Sequence, residues 1–264
     1  MDPEGLTALC AAALPAENLS VDELATCCFG PDTEILGDAH GAVVLTVKRF
    51  GGHEAGIVLL AVHPDNQGRG LGRDLVEAAA ALARELGATG LHLGNLPPRY
   101  VWPGVDFAFI AALALFEAAG FQPYGAECNM SIDTGFRAAV PDGVDLAREV
   151  GDDAADFART ESPHWEDEVR RATERGTCFV ARDADATIGF ACHSVNRRYW
   201  IGPMATSANR RHGGVGHALL AAVCADIGAG GAPAADIAWV GPVGFYARAG
   251  ARVNRVFRTA RRSL

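Results

Sequence analysis

The chain has 264 residues, 49% of them hydrophobic, and a formal charge of −9 from 23 Lys and Arg against 32 Asp and Glu. That length admits one large domain or two ordinary ones, each with its own core, and the acidic balance argues against a nucleic-acid-binding surface, leaving small molecules as the expected partners. No charged-then-apolar leader opens the sequence, no apolar run reaches the roughly 18 residues of a membrane span, and the seven cysteines form no C-x-x-C pair, so a soluble cytoplasmic protein with reduced, buried thiols is expected.

In chain order, residues 7–14 and 21–28 predict two short helices, the second capped by Ser20. Residues 33–36 and 42–49 predict antiparallel strands turned through 37–41. The apolar run 57–62 has the length and β-branched content of a buried strand and stops at Pro64. Residues 73–86 follow as an amphipathic helix, with Gly68, Gly70 and Gly72 between the two. A short strand at 90–93 leads into 95–106, where Pro97, Pro98, Pro103 and Gly104 argue against regular structure. In that stretch Arg99, Tyr100, Trp102 and Asp106 are side chains that recognise ligands. A helix over 107–119 and one or two strands over 122–133 come next. After a boundary at 134–142, a strand is expected at 144–146, helices near 152–159 and 163–175, and a hairpin from 178–182 and 187–195. Then come a short apolar strand at 200–206, a helix at 217–227, a strand at 236–240, a helix at 243–249 and a final strand at 252–259. The cluster Arg252, Arg255, Arg258, Arg261 and Arg262 reads as a solvated strand and tail.

Strand, glycine loop and helix together make a phosphate cradle. A helix N-terminus carries unpaired N–H donors and a partial positive charge, and glycines let a phosphate approach the backbone. The spacing disfavours two known forms: Gly72 is followed by Arg73 and Asp74 rather than Lys and Ser or Thr, and Gly68, Gly70 and Gly72 give G-x-G-x-G rather than G-x-G-x-x-G. The second half repeats the pattern. Gln67-x-x-Gly70-x-Gly72 returns as Arg211-x-x-Gly214-x-Gly216, and the later run Leu115, Phe116, Glu117, Ala118, Ala119, Gly120 returns as Phe245, Tyr246, Ala247, Arg248, Ala249, Gly250. The repeat decides for two domains, 1–136 and 137–264.

Gln67-x-x-Gly70-x-Gly72 after a strand ending Val62-x-Pro64 resembles the acetyl-CoA pyrophosphate loop of the GNAT N-acetyltransferases, and the duplication resembles tandem GNAT proteins such as mycothiol synthase and the tandem acetyltransferases of natural-product clusters. The resemblance implies an α/β (α+β) fold of two tandem GNAT domains, each a mixed, mostly antiparallel sheet flanked by helices. It implies acetyl-CoA held by Leu60, Ala61, Val62, Gln67, Gly68, Arg69, Gly70, Leu71, Gly72 and Arg73, with Met204, Ala205, Thr206, Arg211, Gly214 and Gly216 as the second set. Members commonly begin with a strand before the first helices; none is evident here, so either the first domain lacks it or another stretch supplies it. The family's thiolate acid is a Tyr on the later helix, present as Tyr246 and replaced by Phe116 in the first half. Candidate bases are His92, Asp106 and Glu54, with His193 for the second domain, and Tyr100, Trp102 and Asp106 are candidate substrate contacts. The implied activity is acetyl transfer to a small-molecule amine (amino sugar, amino acid or natural product) by direct attack of the neutral amine on the thioester, in a monomer or homodimer. Phe116 keeps open a non-catalytic acyl-CoA-binding or regulatory protein, and a longer acyl group is a further alternative.

Overall fold

The computed structural model describes residues 1–48, 53–94 and 96–264; Arg49 and Asn95, at the edges of two expected segments, lie outside the described residues. In chain order the elements are α1 (Pro3–Ala13), α2 (Val21–Cys28), β1 (Thr33–Asp38), β2 (Gly41–Lys48), β3 (Glu54–Val62), α3 (Leu71–Glu85), β4 (Gly90–Leu93), β5 (Val105–Asp106), α4 (Ile110–Ala118) and β6 (Gln122–Asp133). They continue as β7 (Val144–Arg148), α5 (Asp153–Glu161), α6 (Glu166–Glu174), β8 (Cys178–Asp183), β9 (Ala186–His193), β10 (Trp200–Thr206), α7 (Val215–Ala229), β11 (Ala234–Ile237), α8 (Val243–Arg248) and β12 (Arg252–Ser263). Local chemistry sets several boundaries. Ser20 and Glu23 form a reciprocal capping box that starts α2 at Val21. Helix α4 begins at Ile110 rather than at 107, because the Asp106 carboxylate accepts the Ala108 N–H at 2.7 Å and turns the chain first.

Two compact units form, one from Met1–Glu127 with Arg255–Leu264, the other from Cys128–Asn254. In the first, the sheet order is β1, β2, β3, β4, β12; β3 and β4 are parallel and the other pairs antiparallel. In the second, the order runs β7, β8, β9, β10, β11, β6, with β10 and β11 the parallel pair. The core of the first unit packs Leu75, Val76, Ala79, Ala80 and Ala83 of α3 against Val43, Leu45, Ile57 and Leu91. Small alanines let that helix lie close to the sheet. In the second, Leu219, Leu220, Val223 and Ile227 of α7 play the same part against Ile188, Ala191 and Ile201.

The mixed, mostly antiparallel sheets flanked by helices match the expected class, but strands at both domain ends differ from the sequence reading. Residues 122–133 form one strand, and its later half pairs with β11 in the second unit (Met130 opposite Ile237) rather than closing the first. The final strand runs to Ser263, and Ala260 to Ser263 pair with Leu93 to Gly90 in the first unit. Each unit is therefore completed by a strand from beyond a single cut at 136. The proline-rich segment is not wholly irregular, since β5 pairs with β12 through Asp106 opposite Phe257. The arginine-rich end is not a solvated tail: Arg255, Arg261 and Arg262 are all ion-paired. Among the described residues no strand precedes α1, and β1 forms the sheet edge. Phe257 is fully buried, so Phe257→Ala is expected to destabilise the first unit by about 3–5 kcal/mol in chemical denaturation, and deletion of residues 255–264 to abolish its cooperative transition.

Candidate active site

Strands β3 and β4 part company after Ile57 and Leu93, while β3 stays paired with β2 as far as Val62. Backbone polar groups of 58–62 therefore have no β4 partner, and buried N–H and C=O groups need one. They line a cleft of about 810 Å³ whose walls include Gln67, Gly68, Gly70, Gly72 and Arg73 at one end and Leu14, Trp102, Asp106, Phe109 and Ile110 elsewhere, with Leu115 and Phe116 of α4. At the glycine end, Gly70 caps α3 at φ 91° and Gly68 lies at φ 71°, left-handed conformations that only glycine adopts without strain. Among the described residues, nothing beyond the adjoining chain lies within 4 Å of where a Cβ would stand on either. The Gln67 side chain donates from Nε2 to the Val62 carbonyl at 2.9 Å and ties the loop to the strand end.

The Trp102 wall is held by charge. The guanidinium of Arg255 donates from Nε to Asp106 Oδ2 at 2.6 Å and from its two terminal nitrogens to Glu17 at 2.8 and 3.1 Å. Trp102 Nε1 donates to the same Glu17 at 3.0 Å, and its ring meets Phe109 edge-on, with centroids 6.3 Å apart. Burial disfavours the Arg255 charge, but Glu17 and Asp106 outweigh it and raise the pKa, so the cation is permanent.

The expected contacts divide as follows. Leu60, Ala61, Val62, Gln67, Gly68, Gly70, Gly72 and Arg73 line the cleft, as do Trp102 and Asp106; Arg69 is exposed on the loop and Leu71 packs against the core. Tyr100 is buried, and its carbonyl accepts the Cys27 thiol at 3.3 Å, a packing role rather than a cleft wall. Glu54 and His92 come together, with Nε2 3.1 Å from Glu54 Oε2, but they line a different cavity of about 910 Å³ with Tyr124, Arg261 and Arg262. An ionised carboxylate only accepts, so in this contact His92 Nε2 is the donor. Burial raises the Glu54 carboxyl, yet the Arg261 hydrogen bond and charge, with His92, outweigh it and hold the pKa below the ordinary value. Sequence reasoning missed Leu14, Phe109, Ile110, Glu17 and Arg255; Arg255 lies 238 residues from Glu17, with no local signal to join them.

The second unit repeats the frame with different chemistry. Gly214 caps α7 at φ 87°, and Arg211 Nε donates to the Thr206 carbonyl as Gln67 does to Val62. Here Arg210 pairs with Asp183 and Arg211 with Glu161 at 3.7 Å, while a Cβ on Gly214 would meet Pro141 at 3.4 Å. Met204 and Ala205 pack against core clusters, and Thr206 Oγ1 would lie 3.4 Å from a Cβ on Gly216. Tyr246 belongs to the core with Val215, Leu219 and Ala251, and burial pushes its phenol pKa up. Both ring nitrogens of His193 are engaged, Nε2 at 2.8 Å from Asp226 and Nδ1 at 3.0 Å from Ser194 Oγ, and burial holds its pKa down.

Removing the cation that Glu17 and Asp106 share is costly, so Arg255→Gln is expected to lose about 2–4 kcal/mol, read as a lower Tm. The depressed Glu54 pKa makes a contribution to stability that is present above the ordinary value of 4.5 and lost as pH falls through the folded value. Glu54→Gln is expected to flatten the acid limb of a plot of Tm against pH.

A model of the GNAT acetyltransferase domain matches residues 32–123, and one of the GNAT acetyltransferase family matches residues 146–250. No curated protein matches the sequence. Among solved structures, the glucosamine N-acetyltransferase region of a fungal multidomain β-N-acetylglucosaminidase superposes with a TM-score of 0.78 at 20% identity over 99% of this chain, which spans 37% of that protein. A tandem GNAT protein of clavulanic acid biosynthesis gives 0.73 at 19% identity, covering 100% of this chain and 97% of that one. A GCN5-related N-acetyltransferase from Sphaerobacter thermophilus gives 0.70 at 18%, covering 100% and 94%. At such identities the likeness shows the fold, and the two domain matches supply the rest: the chain belongs to the GNAT acetyltransferase family, an acyltransferase with one GNAT domain in each half.

Proposed function

We propose that the cleft of the first unit binds acetyl-CoA and passes its acetyl group to the amine of a small molecule. The open glycine cradle carries this reading. Gly68 and Gly70 have free space above them, and among the described residues Arg69 and Arg73 make no ion pair, so both charges are available to a pyrophosphate at the α3 N-terminus. In the second unit the positions matching Arg69 and Arg73 are Gly213 and His217, and the loop's own arginines, Arg210 and Arg211, are ion-paired with Asp183 and Glu161. The unpaired edge of 58–62 suits the amides of a pantetheine arm, which would extend the sheet as an added strand does.

Bound there, acetyl-CoA supplies a thioester whose carbonyl carbon accepts the amine nitrogen as the C–S bond breaks; the amine gives up one proton and the sulfur takes one. The chain positions the partners. No described side chain lining the cleft carries a hydroxyl, and Phe116 stands where a Tyr would, so the proton reaches sulfur through water. Seven free thiols fit a reducing compartment, and we place the enzyme in the cytoplasm as a monomer or homodimer. Among the described residues no helix is long and apolar enough to cross a membrane.

A second reading, in which the second unit is the catalyst, has one observation in its favour: Tyr246 on α8. Its raised phenol pKa makes it a weaker acid, and Tyr246→Phe is expected to keep most of the activity; a loss of about a hundredfold or more in kcat favours the second unit. For the cradle, Gly70→Asp places strain and a negative charge at the phosphate site. Isothermal titration is expected to show one acetyl-CoA per chain, at least tenfold weaker (about 1.4 kcal/mol) in Gly70→Asp and unchanged in Gly214→Asp. Full affinity in Gly70→Asp overturns the assignment.

A further inference from the structure

We infer that the acceptor is a primary amine on an apolar or aromatic body without a carboxylate, that Asp106 is the partner of its ammonium, and that Arg255 is the positioning residue for both Asp106 and Trp102. The inference rests on the reading that the first unit's cleft is the transferase site.

The cleft lining is sorted by chemistry. Its polar side chains at the cradle end are Gln67 and Arg73; away from them, among the described lining residues, the one charged side chain is Asp106, and the lining also includes Ala13, Leu14, Trp102, Phe109 and Ile110. Ile110 is 70% exposed, an apolar surface presented rather than packed. The Trp102 indole is pinned through Glu17 and braced edge-on by Phe109, and such rings take both apolar bodies and cations.

Asp106 has acceptor capacity to spare. It accepts the Ala108 N–H at 2.7 Å on Oδ1 and Arg255 Nε at 2.6 Å on Oδ2, while an ionised carboxylate offers about four acceptor sites. A carboxylate on the acceptor would face Asp106 and an apolar wall, and a polyol would set its hydroxyls against Leu14, Phe109 and Ile110; both leave polar groups unmatched. The planar fork of Arg255 holds Asp106 and Glu17 at once, which the point charge of a lysine does not reproduce.

Three acceptors isolate these features: 2-phenylethylamine, phenylalanine, which adds a carboxylate to it, and glucosamine, which replaces the ring with a polyol. Thiol release from acetyl-CoA and calorimetric binding of each amine to the full chain are measured side by side. The expected result is at least tenfold higher kcat/KM and tighter binding for 2-phenylethylamine than for either of the others. Equal or better turnover of phenylalanine or glucosamine overturns the acceptor class, as does turnover of none with acetyl-CoA bound. Arg255→Lys is expected to raise the KM for 2-phenylethylamine at least fivefold with little change in kcat and none in acetyl-CoA affinity; an unchanged KM overturns the positioning role. Failure of the wild-type chain to bind acetyl-CoA instead overturns the reading of the cleft itself.

Discussion

The guanidinium of Arg255 sits between Glu17, from the turn after α1, and Asp106, from β5, and so ties the last strand of the chain to the wall of the first unit's cleft. Leaving Asp106 buried without that cation would cost several kcal/mol, which makes the ion pair a condition for the shape of the wall rather than an addition to it. Trp102 depends on the same arrangement, since its indole N–H rests on Glu17. Strand β12 can supply Arg255 only because its residues from 255 onward belong to the first unit and pair there with β4. The chemistry of a unit built mostly from the first 127 residues is thus finished by the last ten.

Duplication preserved geometry more strictly than chemistry. Gly70 and Gly214 cap their helices at φ 91° and 87°, and each loop is tied back to its strand by the side chain at the matching position. Backbone conformation is the part that the glycines enforce. Charge is the part that drifted. Among the described residues the first loop's Arg69 and Arg73 make no ion pair, and the second spends Arg210 and Arg211 on Asp183 and Glu161. A tyrosine survives on the helix of the second unit, yet it is packed into the core there. Two cradles with one shape therefore offer an anion different fields.

The legible features were those with local causes. The Ser20 cap, the apolar run into β3, and the glycine loop all act within a few residues, and α2 and β4 fall where the residue pattern puts them. Of the contacts implied by the resemblance between Leu60 and Arg73, all but Arg69 and Leu71 line the cleft. Less legible were residues whose role depends on a distant partner: Tyr100 packs instead of lining the cleft, and Glu54 and His92 meet each other in a separate cavity.

The sequence by itself determined the two cradles and the family to which they point, because turn, strand and helix are set by neighbours along the chain. Tertiary structure alone decided which strands complete which unit, since pairing β12 with β4 and β6 with β11 joins residues more than a hundred positions apart. It also decided the chemistry of the Trp102 wall, where a charge from residue 255 fixes carboxylates at 17 and 106. No periodicity in the chain encodes that meeting; burial of three charges in one place does.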